Sequence, residues 1–233
     1  MKTVYDIGII GAMDGEVSSI IARLEDSSSE LVSGVKFYTG TIFGKKVVVA
    51  KCGIGKVFAA ICTEAMILKY APALIVNTGV GGALDKGLKP LDIVFATSLV
   101  QHDMDTSALG DPKGLVSGIN MVYFDADKRA VGVLAESADR LGIEYATGTI
   151  ASGDKFIARA EDKSNIIADF GAIACEMEGA SVAHVAFVNG TPFAVVRAIS
   201  DSADGEAGMD YMEFLPRAEQ ISTALTLSLI ENL

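Results

Sequence analysis

The stretch IGIIGAMDGEV, residues 7–17, indicates which class of fold this chain adopts. An apolar run ends at Gly11 and residues typical of a helix follow, which predicts a buried strand, a glycine turn and a helix. Loops of this kind often bind phosphate through backbone N–H groups and nearby cations. Here the turn contains Asp14 and Glu16, and the next basic residue is Arg23. Because carboxylates repel phosphate, the loop is expected to serve a different ligand.

Composition and charge restrict the class of protein and of ligand. The chain has 233 residues, half of them apolar, which favours one α/β domain over residues 1–233 with a substantial core. Its net charge is −11, and no run of basic residues is longer than the pair Lys45 and Lys46. Since a nucleic-acid backbone requires a basic surface, the sequence argues against nucleic-acid binding and favours a neutral or cationic small molecule.

Targeting signals, cysteines and histidines also restrict the location of the protein and the kinds of site it can have. The apolar run near the N-terminus is too short for a secretory signal, and no apolar stretch reaches membrane-spanning length, so we expect a cytoplasmic protein without membrane contact. Three widely spaced cysteines in apolar surroundings, Cys52, Cys62 and Cys175, predict reduced core thiols. With His102 and His184 as the two imidazoles, a histidine-rich metal site is excluded, and we predict neither a metal nor a cofactor.

Hydrophobic periodicity predicts alternating strands and helices. Strands are predicted at Val4 to Ile10, Val35 to Ile42, Val47 to Lys51, Leu74 to Asn77, Ile93 to Ala96, Tyr145 to Ile150, Ile173 to Glu176 and Phe193 to Ser200. Helices are predicted at Glu16 to Leu24, Val57 to Tyr70, Ala126 to Leu141, Glu161 to Phe170, Gly179 to Val188 and Tyr211 to Leu229. This alternation predicts a three-layer α/β/α fold, with a central twisted sheet flanked by helices on both faces.

Three connecting segments refine this prediction. The Gly44-Lys45 pair between two β-rich runs indicates a hairpin, so the sheet should be mixed. The acidic and serine-rich segment EDSSSE, residues 25–30, is expected to be a solvated connection between helix and strand. The segment from Val100 to Met121 has no clear period and is expected to be a long loop that covers a site.

Carboxylates follow three of the predicted strands, where ligands of α/β sheets bind. They are Glu16, the pair Glu176 and Glu178, and Asp201. The pair and Asp201 also have an ordinary structural explanation: one glutamate of the pair can complement a helix dipole, and Asp201 can cap a helix or pair with Arg197. The alternative is that Glu16, Glu178 and Asp201 converge on one pocket. Such a set can break a glycosidic bond, because a general acid, a base for water and a group that binds sugar hydroxyls are then all present.

Several motifs together resemble one family. They are GIIGAM followed by Glu16, then CGIGK, NTG with GG, SGD with FI, EMEGAS with AH, and VVRAISD. In order and spacing, from residue 7 to beyond residue 214, they resemble the 5′-methylthioadenosine/S-adenosylhomocysteine nucleosidases of the nucleoside phosphorylase superfamily. The resemblance implies one phosphorylase-like or hydrolase-like domain that splits adenine from a 5′-thio-ribose, in methionine salvage and in clearance of S-adenosylhomocysteine.

The resemblance also implies roles for the residues at the reacting bond. Glu16 matches the base that positions the attacking water, and Asp201 matches the acid that protonates or hydrogen-bonds adenine at N7. Arg197 matches an organiser of water and carboxylates. Glu178 matches the residue that holds the ribose hydroxyls, with Met177 packed beneath the sugar.

Further residues match the walls of the substrate pocket. Phe156 matches the ring that stacks on adenine, and Ile157 matches the residue whose backbone N–H and C=O meet the edge of the base. The 5′-alkylthio wall matches Met13, Ile54 and Tyr211. In the family, a second subunit of a homodimer completes this wall through the loop that corresponds to residues 102–109.

One position departs from the family pattern. The family usually has serine where Val80 stands, and that hydroxyl helps to bind the reacting water. Valine has no hydroxyl, so either Glu16 and Arg197 suffice for the water or the substrate differs somewhat.

Three other functions remain open from the sequence. A purine or uridine nucleoside phosphorylase needs arginines for phosphate, whereas the first loop here has Asp14 and Glu16, which favours water as nucleophile. A futalosine-type hydrolase would use the same chemistry on a nucleoside with a larger 5′ group. A nucleoside-binding protein without turnover would retain only the fold.

Overall fold

A computed structural model describes residues 4–203 and 207–233 as a mixed α/β structure. The strands are β1 (Tyr5–Gly11), β2 (Glu25–Val32), β3 (Val35–Ile42), β4 (Lys45–Lys51), β5 (Pro72–Ala83), β6 (Ile93–Gln101), β7 (Tyr123–Asp125), β8 (Tyr145–Ser152), β9 (Ala174–Glu176) and β10 (Phe193–Asp201). The helices are α1 (Asp14–Ile21), α2 (Lys56–Tyr70), α3 (Lys128–Leu141), α4 (Ala160–Phe170), α5 (Gly179–Val188) and α6 (Ala207–Asn232).

The strands form one sheet in which parallel and antiparallel pairs are mixed. Its order is β10-β6-β8-β9-β5-β1-β4-β3-β2, and β7 pairs with β6. Because β10 also pairs with β5, the strands β5, β10, β6, β8 and β9 close into a ring. β1 runs parallel to β4 and β5, and β5 runs parallel to β10, so the carboxyl ends of β1, β5 and β10 meet at one edge.

Alternate residues of the central strands face different hydrophobic clusters. On β1, Ile7 and Ile9 belong to one cluster and Ile10 to the other, as expected for a strand buried on both faces. The first cluster includes buried side chains of α1, α3 and α6. The second includes those of α2 and α5, together with the thiols of Cys52 and Cys62. All three cysteines are buried and free, as predicted.

The predicted hairpin is confirmed, with its turn one residue earlier than expected. β3 and β4 pair antiparallel, and the turn residues are Phe43 and Gly44, with φ of 52° and 74°. Positive φ at both turn residues matches the twist of the two strands, and glycine adopts it without strain.

The expectation for residues 25–30 was wrong. The segment is the first part of β2, which pairs antiparallel with β3 at the edge of the sheet. Its side chains are exposed almost throughout, so no apolar alternation marks it as a strand. Backbone hydrogen bonds to β3 hold it in place, and a polar edge strand is a common protection against edge-to-edge pairing.

The expected long loop is confirmed between β6 and β7, with slightly shifted bounds. β6 continues to Gln101, and a single 3-10 turn lies over Ser107–Leu109 before β7 begins at Tyr123. β7 was not predicted from the sequence, because a three-residue strand is too short to show a period. Within the described part of the chain, no helix combines the length and apolar character needed to cross a membrane.

Candidate active site

A cavity of about 120 Å³ lies at the edge where β1, β5 and β10 end, which is where ligands of α/β sheets bind. The lining residues are Ala12, Met13, Glu16, Ile54, Val80, Gly81, Gly82, Lys155, Phe156, Ile157, Cys175, Glu176, Met177, Glu178, Ser200, Asp201 and Tyr211. The cavity therefore brings together all the predicted site residues except Arg197, which lies behind its wall.

Glu16 is a buried carboxylate held by main-chain donors. Its Oε2 accepts hydrogen bonds from the N–H groups of Ala12 at 2.6 Å and Met13 at 2.9 Å, and its Oε1 accepts one from Val80 at 3.2 Å. Met13 is the N-cap of α1, so part of this geometry is the normal use of a glutamate in a first helical turn. Burial raises the pKa of Glu16, while the positive charge of Arg197 and the backbone donors offset part of the rise. A carboxylate with a raised pKa is suited to act as a general base.

Gly79 makes room for this carboxylate. A Cβ atom built on Gly79 would lie 2.3 Å from Oε1 of Glu16, much closer than any real contact. This glycine lies inside β5, where a residue with a side chain would normally strengthen the strand. The glycine at position 79 is therefore explained by the close approach of the carboxylate.

Val80 contributes its backbone and its side chain in different ways. Its N–H group donates to Glu16, and its side chain lines the cavity beside that carboxylate. A serine hydroxyl at this position would add a polar group to the cavity wall. Valine leaves this part of the wall apolar, and the contact to Glu16 does not depend on the side chain.

Arg197 forms a buried ion pair with Glu176. The Nη2 group of Arg197 donates to Oε2 of Glu176 and to the side-chain oxygen of Asn77, and Arg197 is only 1% exposed. Ser152 donates to the other oxygen of Glu176. Burial alone would raise the pKa of Glu176, but the Arg197 guanidinium and the Ser152 hydroxyl hold it below its ordinary value.

Glu176 also holds the start of α5. Its Oε2 accepts hydrogen bonds from the N–H groups of Glu178 at 2.9 Å and Gly179 at 2.7 Å. From the sequence, Glu176 is only one member of a pair and has no assigned role. An arginine inside an apolar strand such as β10 requires a buried counter-charge, and this signal could have identified Glu176.

Glu178 stands at the N-cap of α5 with an unusual proton affinity. Its Oε1 accepts a hydrogen bond from the N–H group of Gly55 at 2.7 Å, and its side chain is buried in the cavity wall. Burial, followed by the negative charge of Glu176, raises the pKa of Glu178 to about 8. At neutral pH this carboxyl therefore retains its proton.

Asp201 ends β10 at the deep side of the cavity. Its Oδ2 accepts a hydrogen bond from the Ser200 hydroxyl and its Oδ1 accepts one from the N–H group of Ala203, each at 2.8 Å. The ion-pair partner of Arg197 is Glu176. Asp201 is almost fully buried and is one of the residues that line the cavity.

Apolar and aromatic side chains form the mouth of the cavity. Phe156 is 47% exposed and Ile54 is 56% exposed. The Phe156 ring packs edge-on against the Tyr211 ring, with centroids 5.7 Å apart. The Tyr211 hydroxyl donates to the sulfur of Met13 at 3.3 Å. Burial, followed by the nearby Glu16 carboxylate, raises the pKa of Tyr211 to about 12, so the hydroxyl retains its proton.

The remaining predicted residues lie between the deep end and the mouth. Ile157 is buried in the wall and Met177 is partly buried beside Glu178. In the segment over residues 102–109, Lys56 pairs with Asp103, and Leu109 is 84% exposed. Leu109 is not among the lining residues, so this chain alone does not place it in the cavity.

Comparison with known proteins identifies the family. Residues 6–231 match the Phosphorylase superfamily. The 5′-methylthioadenosine/S-adenosylhomocysteine nucleosidase of Actinobacillus succinogenes is 40% identical over 228 residues, which cover 97% of this chain and 99% of the relative.

Two solved structures are closely similar. The crystal structure of 5′-methylthioadenosine/S-adenosylhomocysteine nucleosidase from Neisseria meningitidis, in complex with methylthio-immucillin-A, has a TM-score of 0.94, 34% identity and full coverage of both chains. The futalosine hydrolase of Helicobacter pylori has a TM-score of 0.94 and 36% identity, with coverage of 100% of this chain and 99% of that chain. The chain therefore belongs to the phosphorylase superfamily and, within it, to the 5′-methylthioadenosine/S-adenosylhomocysteine nucleosidases.

Proposed function

We propose that this chain hydrolyses the N-glycosidic bond of 5′-methylthioadenosine and S-adenosylhomocysteine, releasing adenine and the 5′-thio-ribose. The main support is Glu16, a buried carboxylate that three backbone N–H groups fix in the loop after β1. A carboxylate held in this way can bind and deprotonate a water molecule, whereas it would repel a phosphate ion.

The reaction divides between two ends of the cavity. Glu16 takes a proton from the water molecule whose oxygen forms the new bond to the anomeric carbon. The bond from that carbon to adenine breaks, its electron pair passes to the base, and Asp201 donates a proton or hydrogen bond to N7 of the leaving adenine. Charge that develops on the sugar in the oxocarbenium-like transition state lies near the carboxylates of the wall.

The difference in burial between the lining residues supports one orientation of the substrate in the cavity. Adenine lies at the deep end near Asp201, stacked on Phe156 and bound along its edge by the backbone of Ile157. The ribose lies over Met177 with its hydroxyls at Glu178. The 5′ group then points to the mouth, where Ile54 and the pair of Met13 and Tyr211 provide an apolar and polarisable wall.

Arg197 acts indirectly in this proposal. Its guanidinium neutralises Glu176, which in turn holds the N–H groups of Glu178 and Gly179 at the start of α5. Arg197 therefore orients the turn that presents Glu178 to the ribose, and its positive charge also acts on Glu16 through the wall.

A phosphorylase function is less well supported. Among the described residues that line the cavity there is no arginine, and the lining cation Lys155 pairs with Asp162 at 2.8 Å. The test is adenine release in buffer freed of phosphate, followed by titration with phosphate. We expect full activity without phosphate, and a strict requirement for phosphate would contradict the proposal.

A futalosine-type hydrolase is the second candidate. The similarity to the Helicobacter pylori futalosine hydrolase favours it, as does an open mouth with the exposed side chains of Ile54 and Phe156. Rates of adenine release from 5′-methylthioadenosine, S-adenosylhomocysteine and 6-amino-6-deoxyfutalosine would separate the candidates. We expect the two 5′-thio substrates to have the higher kcat/KM, and the reverse order would favour the second candidate.

We also propose the arrangement in which the chain works. Residues 1–233 form one domain with three layers, α/β/α, consistent with the two hydrophobic clusters on the central strands. Two copies associate through an exposed stripe of α2, which is formed by the apolar side chains of Val57, Ile61 and Leu68. Contact with a second copy would remove these side chains from water. The partner's segment over residues 102–109 then completes the 5′ pocket.

The setting of the reaction is a further proposal. Free buried thiols suit the reducing cytoplasm, and we place the protein there, in methionine salvage and removal of S-adenosylhomocysteine.

A further inference from the structure

A second carboxylate lies directly behind the loop that contains Glu16. It belongs to Glu219, on the part of α6 that packs against α1. A Cβ atom built on Gly15 would lie 2.1 Å from each carboxylate oxygen of Glu219. The carboxylate therefore occupies the space that a side chain at position 15 would need.

Gly15 has no other explanation in the structure. It is the second residue of α1, and a glycine inside a helix costs about 1 kcal/mol relative to alanine. Its φ lies outside the left-handed region, so backbone conformation does not require glycine. Gly15 and Glu219 are thus complementary: the missing side chain on α1 admits the carboxylate from α6.

The electrostatic surroundings connect this carboxylate to Glu16. Burial raises the pKa of Glu219, and the neighbouring Glu16 carboxylate raises it further. The coupling is reciprocal, because each negative charge disfavours ionisation of the other. The other charged or titratable groups that act on or adjoin these two carboxylates are Arg197 on β10, Glu178 at α5, Tyr211 on α6, Cys52 after β4, and Asp14 on α1, which pairs with Lys51.

We propose that Glu219 is a positioning residue that acts through Glu16: its negative charge, held over Gly15, makes Glu16 a stronger base for the attacking water. This inference rests on the proposed hydrolase function, because it assigns the proton acceptor to Glu16. Glu219 is not among the residues that line the cavity. Its effect is on the pH at which Glu16 becomes ionised.

The test is the pH profile of adenine release by the full chain and by Glu219→Gln. Removal of one negative charge makes Glu16 easier to ionise, so the acid limb of kcat/KM should move to lower pH. We expect a shift of about half a pH unit, with kcat on the plateau about threefold lower because the base is weaker. Glu213→Gln, at an exposed position of the same helix, is the matched control and should leave the profile unchanged.

A second variant keeps the charge and moves it. Gly15→Ala places a methyl group where the carboxylate lies, so Glu219 must withdraw, and the limb should shift in the same direction by a smaller amount. If neither variant shifts the limb relative to Glu213→Gln, Glu219 is only a packing residue and the inference is wrong. If the wild-type chain releases no adenine, the proposed hydrolase function fails instead, so the two failures are distinguishable.

Discussion

At the scale of single residues, the three cavity carboxylates differ in the donors that hold them. Glu16 accepts hydrogen bonds from three main-chain N–H groups, and Asp201 accepts hydrogen bonds from a hydroxyl and an N–H group. Glu178 accepts a hydrogen bond from one N–H group and lies beside a second carboxylate. More donors favour the charged form, and a neighbouring negative charge disfavours it. Similar side chains in one cavity can therefore serve as base, acid and sugar-binding group.

The role of Asp201 can be tested by Asp201→Asn. Asparagine preserves the shape but cannot protonate N7, so adenine release should fall by roughly a hundred- to ten-thousandfold. Circular dichroism and thermal unfolding should show a folded protein, and Asp139→Asn at an exposed position of α3 serves as control. Unchanged turnover in a folded variant would contradict the mechanism.

Glu178 should make stability depend on pH in an unusual direction. Its folded pKa of about 8 lies above the ordinary value of 4.5, so the folded protein binds more protons than the unfolded chain between these values. Its contribution to stability is thus fully present below pH 4.5 and is lost as pH rises through 8. Glu178→Gln cannot ionise, so its Tm should exceed that of the wild type by about 3 °C at pH 9.

The same variant should match the wild type in Tm near pH 5 while losing activity at every pH. Scanning calorimetry of both proteins at the two pH values is the measurement. An equal Tm difference at both values would show that the proton on Glu178 does not contribute.

Part of the site could be predicted at this scale, and part could not. Glu16, Glu178 and Asp201 follow apolar runs, and a strand end is visible in sequence as the point where the apolar run stops. Glu176 was given no role because its partner, Arg197, is distant in sequence, and only the fold brings them together. Glu219 was missed for the same reason: nothing near it on α6 indicates that the carboxylate lies over Gly15.

At the scale of elements, the bounds of some strands were predicted well, whereas the buried strand β5, Pro72–Ala83, was predicted only over Leu74 to Asn77. β3 has the predicted bounds, and β10 extends only one residue beyond the prediction. Both strands contribute apolar residues to the two hydrophobic clusters, and these residues mark the strands in the sequence. β2 was wrongly expected to be a connection, since it depends on hydrogen bonds to β3 and not on buried side chains. The closed ring of strands, which depends on the pairing of β10 with β5, could not be predicted from the sequence either, because pairing between distant strands has no local signal.

β5 offers a test of whether a strand glycine serves the site. Gly79→Ala should leave the fold intact but displace Glu16, whose Oε1 lies 2.3 Å from the added Cβ atom, and activity should fall by roughly a hundredfold. The matched control is Gly132→Ala in α3, where no atom lies within 4 Å of an added Cβ.

Gly132→Ala should retain activity and increase the free energy of unfolding by about 0.5 to 1 kcal/mol, because alanine is the better helix former. Denaturant unfolding and adenine release measured on both variants give the comparison. Equal activity in the two variants would show that the space at Gly79 is not needed by Glu16.

At the scale of the whole molecule, the proposed association of two copies links assembly to activity. Ile61→Glu places a charge on the exposed stripe of α2 and should give a monomer by light scattering. Because the partner's segment would no longer complete the 5′ pocket, kcat/KM should fall by roughly tenfold or more. Leu141→Glu, on the exposed side of α3, is the control and should change neither property. A fully active monomer would contradict the proposed arrangement.

The main-chain bonds that hold Glu16 have a consequence for how the family can diversify. The N–H groups of Ala12, Met13 and Val80 fix the base, and these same residues line the cavity. Substitutions there can reshape the pocket without removing a bond to the carboxylate. Libraries randomised at these positions should therefore yield many variants with altered substrate preference and intact hydrolysis. The architecture separates what is bound from how it is cleaved.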